Sequence, residues 1–540
     1  MSALQHFPRR WASTAAGLDL FDRLAALLFA ALFVLVALTF THYGVSNDED
    51  IQHHYGQLII GYYLSGFTEK ALFHFDNLYL YGGLFDIIAA LLEQILPFRL
   101  YDIRHVLCAT AGVGGIAATW AVARLIAGPR AGLLALAVLA VCGVWYGSMF
   151  NHTKDIPFAS AMMGSTYFLL RASRGLPQPR RRDILLFGLL LGAALGLRAT
   201  GLLMLGYAGL VLLSRSAEQD EWAERLRFFG ASLLRFLPAF ALAYIIMIAA
   251  WPWASLAPLN PLRAIFAFAH FHYLIHTMAF GETYEMGNAP RWYVPVYIAI
   301  KLPLVIFAGA ALALVTAACP FRPRDWLRSR RHREIGLLAF MVVFPVLVQV
   351  ISRGPAFTGM RHFLFVVPPL AALAGIGFDA ALGFLQSWRR GLATGAMAGL
   401  IAILTWNAVT LVRLHPYEYM FYNSLVGGLE NASRRFEMDY WVNSMPEAVA
   451  ALKAFLDREG PASRPYSVAM CAEQTSFENE ADGDPRLEWT DEWDESDFFI
   501  SPTQMNCDRV FGGKVIATIE RFGALIAVVK DTRELNKRGP

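Results

Sequence analysis

Runs of about twenty apolar residues recur along this chain, each the length a helix needs to cross the hydrocarbon core of a bilayer. They occupy 24–41, 78–97, 105–125, 131–149, 156–171, 236–254, 294–318, 335–352, 363–385 and 391–412. A further stretch, 184–214, is long enough for two short spans broken at Arg198-Ala-Thr-Gly201. Charged residues make up 16% of the 540, against about 25% in a soluble domain. The chain has no low-complexity segment and no repeat at a fixed period.

The first run could be mistaken for a cleaved signal, because Arg9 and Arg10 precede it. Its apolar core from Leu24 to Phe40 is 17 residues long, and THYGVSNDED after it has no small-x-small cleavage site. It reads as a retained span with a cytoplasmic N-terminus. Basic clusters at 124–130, 171–182, 215–235, 322–333 and 389–390 then set the orientation, since short cytoplasmic loops collect Arg and Lys. A full crossing at 78–97 would put every one of these clusters outside. That run also holds Asp86, Glu93, Gln94 and Pro97, which are costly against lipid. It is therefore expected to be a juxtamembrane or re-entrant helix within a first outer loop, 42–104.

The predicted fold is a polytopic α-helical membrane protein of about eleven transmembrane helices plus juxtamembrane helices, spanning 1–412. A small α/β outer domain, 413–540, follows. In it, Ser444-Met-Pro-Glu447 has the form of a capping box opening a helix that Gly460 closes. Strands are expected at 466–470, 498–501, 515–519 and 525–529. Cys108 and Cys142 fall in spans and Cys319 at a cytoplasmic edge. Cys471 and Cys507 share the outer domain, which predicts a disulfide in an oxidising compartment, with two buried free thiols as the alternative.

The unusual polar residues gather in the outer loops. The first loop reads SNDEDIQHHYGQ, with Asp48, Glu49 and Asp50 consecutive and His53 and His54 close behind. A solvated acidic turn is the simpler reading of such a triplet. The position just past a span, and a second charged site in another outer loop, argue for chemistry. That second site is NHTKDIPF, where Lys154 and Asp155 stand at the start of a span; helix capping by Asp155 is its plain reading. Cations at membrane depth, Arg198, Lys301 and Arg361 with His362 beside it, either snorkel to the interface or line a site for an anionic group. The loop 255–293 is aromatic, and its His270, His272 and His276 do not share one helical face, so an interfacial surface is expected there rather than a metal site.

Together these features resemble the GT-C glycosyltransferases. They are an acidic pair after the first span, an Asp before the span at 156–171, an aromatic loop leading to Lys-Leu-Pro, and RHFLFVVPPL before a late span. The likeness is strongest to family 39, which includes protein O-mannosyltransferases and the aminoarabinose transferase of lipid A. HPYEYMFYNSLVGG (415–428) and DYW (439–441) look like the segment that follows the last span in bacterial members. The resemblance implies an inverting sugar transfer from a polyprenyl-phosphate donor, on the periplasmic face of a bacterial inner membrane. Asp48 and Glu49 match the family's Asp-Glu pair, with Asp50 an alternative in register, and Asp155 matches the second acidic position. One carboxylate would deprotonate the acceptor hydroxyl while Arg198, Lys301 or Arg361 stabilised the departing phosphate. His53, His54, Lys154 and His362 are further candidates for substrate binding. A divalent metal would suit the acidic cluster, and the residues leave that open. The acceptor, whether glycan, lipid or protein, is also open, and no nucleic-acid partner is expected. A transporter or flippase of lipid-linked sugars is the rival reading, favoured by the break at Arg198.

Overall fold

The computed structural model describes residues 19–270, 275–318, 329–356, 358–461 and 464–536. Arg9, Arg10, His272, Cys319 and the basic residues at 322–328 lie outside these. The chain opens with α1 (Leu20–Thr39), then two shorter helices, α2 (Glu49–Leu64) and α3 (Leu84–Glu93). There follow α4 (Leu100–Ala127), α5 (Pro129–Ala140), α6 (Gly143–Asn151), α7 (Asp155–Arg174), α8 (Arg181–Leu195), α9 (Leu203–Ser216) and α10 (Trp222–Ala250). After α11 (Asn260–Ala269) come α12 (Tyr293–Lys301), α13 (Leu304–Ala318), α14 (Arg330–Ser352), α15 (Val367–Trp388) and α16 (Arg390–Leu414).

All eleven runs read as crossings are helical. Among the described residues, seven helices are long and apolar enough to cross a membrane. The number is nine if α5 with α6, bent by 66°, and α12 with α13, bent by 104°, each count as one span. The two remaining runs are α7, which carries Asp155, Arg171 and Arg174, and α8. The 15 residues of α8 rise about 22 Å at 1.5 Å each. The protein is a multi-pass membrane protein. Gly128, at φ +101°, turns the chain sharply out of α4, and Pro129 starts α5 at once.

The run at 78–97 does not form one long helix. It contains a short 3-10 turn, Leu78–Leu80, and the 10-residue α3, about 15 Å long and too short to span. Its buried Asp86 lies 3.0 Å from the Arg104 guanidinium, so this carboxylate is met inside the protein, while Glu93 and Gln94 are exposed. The amides of Gly83 and Leu84 donate to the carbonyls of Ala250 and Gly196 at 2.9 and 3.1 Å. This docks α3 on the ends of α10 and α8. The approach is so close that a Cβ at Gly82 would lie 2.0 Å from the Gly196 carbonyl oxygen.

Ion pairs tie the opposite end of the bundle together. Arg124 meets Asp22 at 2.6 Å, Arg130 meets Asp379 at 2.6 Å, Arg171 meets Asp183 at 3.1 Å and Arg174 meets Glu334 at 2.6 Å. These residues belong to the start of α1, the end of α4, the start of α5, the end of α7, the start of α8, the start of α14 and the second half of α15. The basic clusters that are described there share one end, as the alternating spans require.

The loop expected to be an aromatic interface contains a hairpin, β1 (His276–Ala279) and β2 (Glu282–Glu285), paired antiparallel. Alternation is too short there to announce strands. His270 and His276 are exposed on its surroundings. The C-terminal part forms a five-stranded sheet in the order β4-β3-β5-β7-β6. The strands are β3 (Tyr466–Met470), β4 (Leu487–Trp489), β5 (Phe498–Pro502), β6 (Lys514–Arg521) and β7 (Ala524–Asp531). Strand β3 runs parallel to both β4 and β5, and β7 is antiparallel to β5 and β6. The three-residue β4 had no readable pattern of its own. Two helices, α17 (Met445–Glu459) and α18 (Gln474–Ala481), accompany the sheet, and Cys471 and Cys507 are joined by a disulfide.

Helix α17 has the bounds expected, ending at Gly460, but not the expected cap. The Ser444 side chain makes no capping bond. Instead Asp439 accepts from the amides of Asn443 and Ser444, both at 2.8 Å, and Glu447 pairs with Arg521. A carboxylate reaching from outside the helix satisfies free amides as well as a capping residue would.

Candidate active site

Three consecutive carboxylates at a helix start point in three directions, because each residue turns about 100°. Asp48 stands at the N-cap of α2 and keeps 34% of its side chain exposed. Its Oδ2 accepts from Arg361 at 2.8 Å. Glu49 is wholly buried, accepts from the Ser46 amide at 2.9 Å, and lies 3.6 Å from Arg104 Nε and 3.3 Å from His105 Nε2. Burial alone would raise its pKa, but His105, Arg104 and the Ser46 amide together hold the carboxyl below its ordinary range. Asp50 is exposed and accepts from the Tyr101 hydroxyl at 3.0 Å. Only Asp48 of the triplet meets the second acidic position.

That position, Asp155, opens α7 and is 5% exposed. Arg198 donates to it at 2.5 Å and Arg361 at 3.2 Å. Arg361 therefore bridges Asp48 and Asp155, and its guanidinium lies 4.2 Å from the centre of the Trp441 ring, close enough for cation–π attraction. Arg198 comes from the break between α8 and α9, where the chain leaves helical geometry at φ −146°. Lys154, next to Asp155, is buried with Nζ 3.9 Å from Asp86 and 4.8 Å from the Tyr81 ring centre. Among the described residues, no hydrogen-bond acceptor reaches that ammonium. Burial lowers it to about 8, against the pull of Asp86 and Asp48 in the other direction.

His152 reports the local field. Burial first, then Arg361, Lys301 and Arg198, push its imidazole far below the ordinary range, and it meets the Tyr440 hydroxyl at 2.7 Å. The site is thus rich in positive potential around two carboxylates. Such an arrangement suits an anionic leaving group beside a base.

The other candidates divide. His362 follows Arg361 in the same turn, within electrostatic reach of Arg198. Lys301 is buried, donates to the Tyr419 carbonyl at 3.0 Å and lies 4.0 Å over the Tyr422 ring, so its nearest partners belong to the 415–428 segment. His53 pairs with Glu93 at 3.0 Å and ties α2 to α3, while His54 is exposed with its ring against Phe75. Neither histidine joins the cluster. Among the described residues, no group of three or more His, Cys, Asp or Glu side chains is placed to share a metal ion; Asp48 and Asp155 share the Arg361 guanidinium.

Residues not read as site candidates from sequence also build the site: Asp86, Arg104, Tyr81 and Trp441. Asp86, read from the sequence only as a group costly to place against lipid, pairs with Arg104, and the pair joins positions 18 residues apart. Trp441 was legible only as part of DYW.

Residues 83–253 match the family model described as dolichyl-phosphate-mannose-protein mannosyltransferase, which bears out the resemblance to the GT-C glycosyltransferases of the protein mannosyltransferase kind. The matched region includes Asp86, Arg104, Lys154, Asp155 and Arg198. No curated protein matches the chain. Among solved structures the chain is similar to ArnT from Cupriavidus metallidurans bound to undecaprenyl phosphate, at 14% identity and a TM-score of 0.45 over 93% of this chain and 97% of that one. The apo state of ArnT gives 14% and 0.47 over 94% and 98%. The oligosaccharyltransferase AglB from Archaeoglobus fulgidus, in complex with an inhibitory peptide and a dolichol-phosphate, gives 12% and 0.44 over 90% and 70%.

Proposed function

We propose that this protein transfers a sugar from a polyprenyl-phosphate carrier to an acceptor hydroxyl, with Asp48 as the base. The observation that carries the reading is the set of Asp48 and Asp155 bridged by Arg361, with Arg198 and Lys154 beside them. It lies at the end of the bundle opposite the paired Arg clusters. The family match over 83–253 supports the same class.

The donor's prenyl tail stays in lipid and its phosphate enters among Arg361, Arg198 and Lys154. An anionic phosphate competes with Asp48 for the Arg361 guanidinium, which loosens that pair and leaves Asp48 to accept a proton. Asp48 takes the acceptor's hydroxyl proton as the acceptor oxygen bonds to the anomeric carbon. The bond from that carbon to the phosphate oxygen breaks, and the phosphate leaves with the electron pair. Attack opposite the leaving group through an oxocarbenium-like state inverts the anomer. Asp155, held by two guanidiniums, keeps both of them in place. The helix break at Arg198, the feature that favoured a transporter, delivers a cation to Asp155 in this arrangement.

On this reading 1–412 is the transmembrane catalytic unit and 413–540 covers it on the outer, periplasmic side of a bacterial inner membrane, with the N-terminus in the cytoplasm. Purified protein incubated with a labelled polyprenyl-phosphate sugar and a membrane extract that supplies the hydroxyl acceptor tests the proposal. Wild type should consume the donor and transfer its sugar. Asp48→Asn should lose about 10²–10⁴ in rate while still binding the lipid phosphate. Undiminished turnover in Asp48→Asn would remove Asp48 from the role of base.

A further inference from the structure

A second concavity, of about 440 Å³, lies beyond the carboxyl ends of the parallel strands β3 and β4. Its size falls within the roughly 300–1,000 Å³ of small-ligand sites. Ligands of open α/β sheets settle outside this end of the strands. The side chains that give the cleft its chemistry are Trp489, Trp493, Thr490, Asp491, Glu473 and Asn47.

Asn47 ties this cleft to the candidate active site, for it immediately precedes Asp48. The outer domain is fastened to that loop. The Glu473 amide donates to Asn47 Oδ1 at 3.4 Å, and the Ser476 hydroxyl donates to the Val45 carbonyl at 2.9 Å. The wall of the cleft is braced as well. Cys471 lies in it and is disulfide-bonded to Cys507, and the Trp493 ring rests edge-on against Phe499 at 4.9 Å.

The lining specifies a class of ligand. Among the described residues, its only charged side chains are the carboxylates Asp491 and Glu473, both exposed, and no Lys or Arg lines it. A phosphate or uronate would be repelled there. A sugar fits instead: its hydroxyls donate to the carboxylates and to Asn47, and its flat C–H faces pack on the partly exposed indoles. We propose that this cleft binds a non-anionic saccharide unit of the acceptor and so presents a neighbouring hydroxyl toward Asp48. The binding is a property of the cleft itself; its consequence for transfer rests on the reading of Asp48 as base.

Titration of the full-length protein in nanodiscs with short neutral, amine-bearing and uronate-containing oligosaccharides, and with a Lys-containing peptide, tests this through tryptophan fluorescence. Neutral or amine-bearing saccharides should bind. Trp489→Ala should weaken them about tenfold, the scale of one lost aromatic contact, and the exposed change Asp491→Asn should weaken them without touching the fold. Neither variant should alter binding of polyprenyl phosphate. No saccharide binding by wild type, binding that both variants retain in full, or preference for the uronate or the peptide would overturn the proposal. Saccharide binding that persists in a protein unable to bind polyprenyl phosphate would leave the cleft standing while the donor reading fell.

Discussion

Asp48 and Glu49 are adjacent and chemically alike, yet their surroundings assign them different work. Asp48 is partly exposed and is paired with Arg361, a cation that a substrate phosphate can draw away. Glu49 is sealed among Arg104, His105 and the Ser46 amide. Removing one partner of a buried charge network strands the other, at a cost of about 3–5 kcal/mol. Glu49→Gln should therefore lower the thermal midpoint of the detergent-solubilised protein markedly, whereas Asp48→Asn should leave it nearly unchanged. A midpoint order reversed from this would mean that the two roles are exchanged. Lys154 gives the site a pH dependence. Its folded side chain titrates at about 8, below the ordinary 10.5. Between those values the unfolded chain holds the extra proton, so stability rises with pH across that window. Over the same window the ammonium loses its charge, so affinity for polyprenyl phosphate should fall as pH passes about 8. A binding profile measured from pH 7 to 10 should show that fall in wild type and a flatter curve in Lys154→Met.

At the scale of elements, the site is assembled where helices stop. Asp48 stands before α2, Asp155 at the first residue of α7, Arg198 between α8 and α9, and Arg361 in the turn that leads into α15. The acidic residues gain from the partial positive charge of a helix start, and the broken helix frees backbone that α3 then takes up. That docking depends on Gly82, whose hydrogen faces the Gly196 carbonyl with no room for a methyl group. Gly82→Ala should push α3 away from the break, displace Arg198 from Asp155, and reduce both the thermal midpoint and transfer. If transfer and midpoint are both retained, the break does not need α3 to hold Arg198.

Across the whole molecule, charge is sorted by end. Arg residues paired between helices occupy one end, and the candidate site with its covering sheet occupies the other. Single cysteines placed at the exposed positions 70, 283 and 495 should react with an impermeant reagent in cells whose outer membrane has been permeabilised, and one at position 218 should not. Labelling at 218 without labelling at 283 would invert the proposed orientation.

The helices were legible in the sequence because a bilayer demands long apolar runs, and that demand leaves a mark within each segment alone. The refusal of 78–97 to cross was legible for the same reason, from Asp86, Glu93 and Pro97. The sheet strands could be read wherever apolar residues ran together, and β4 and the β1–β2 hairpin were lost because each is too short to carry a period. The site was legible only as residue types near the outer ends of spans. Which of Asp48, Glu49 and Asp50 faces Asp155 depends on the rotation of α2. That rotation is set by its packing on α3, where a Cβ at Gly56 would meet the Asp86 carbonyl at 2.5 Å. The pairing of Arg361 with residues 313 and 206 positions away belongs to no local pattern. Such pairs exist because folding brings distant helix ends to one surface, and only the tertiary structure decides which charges then meet.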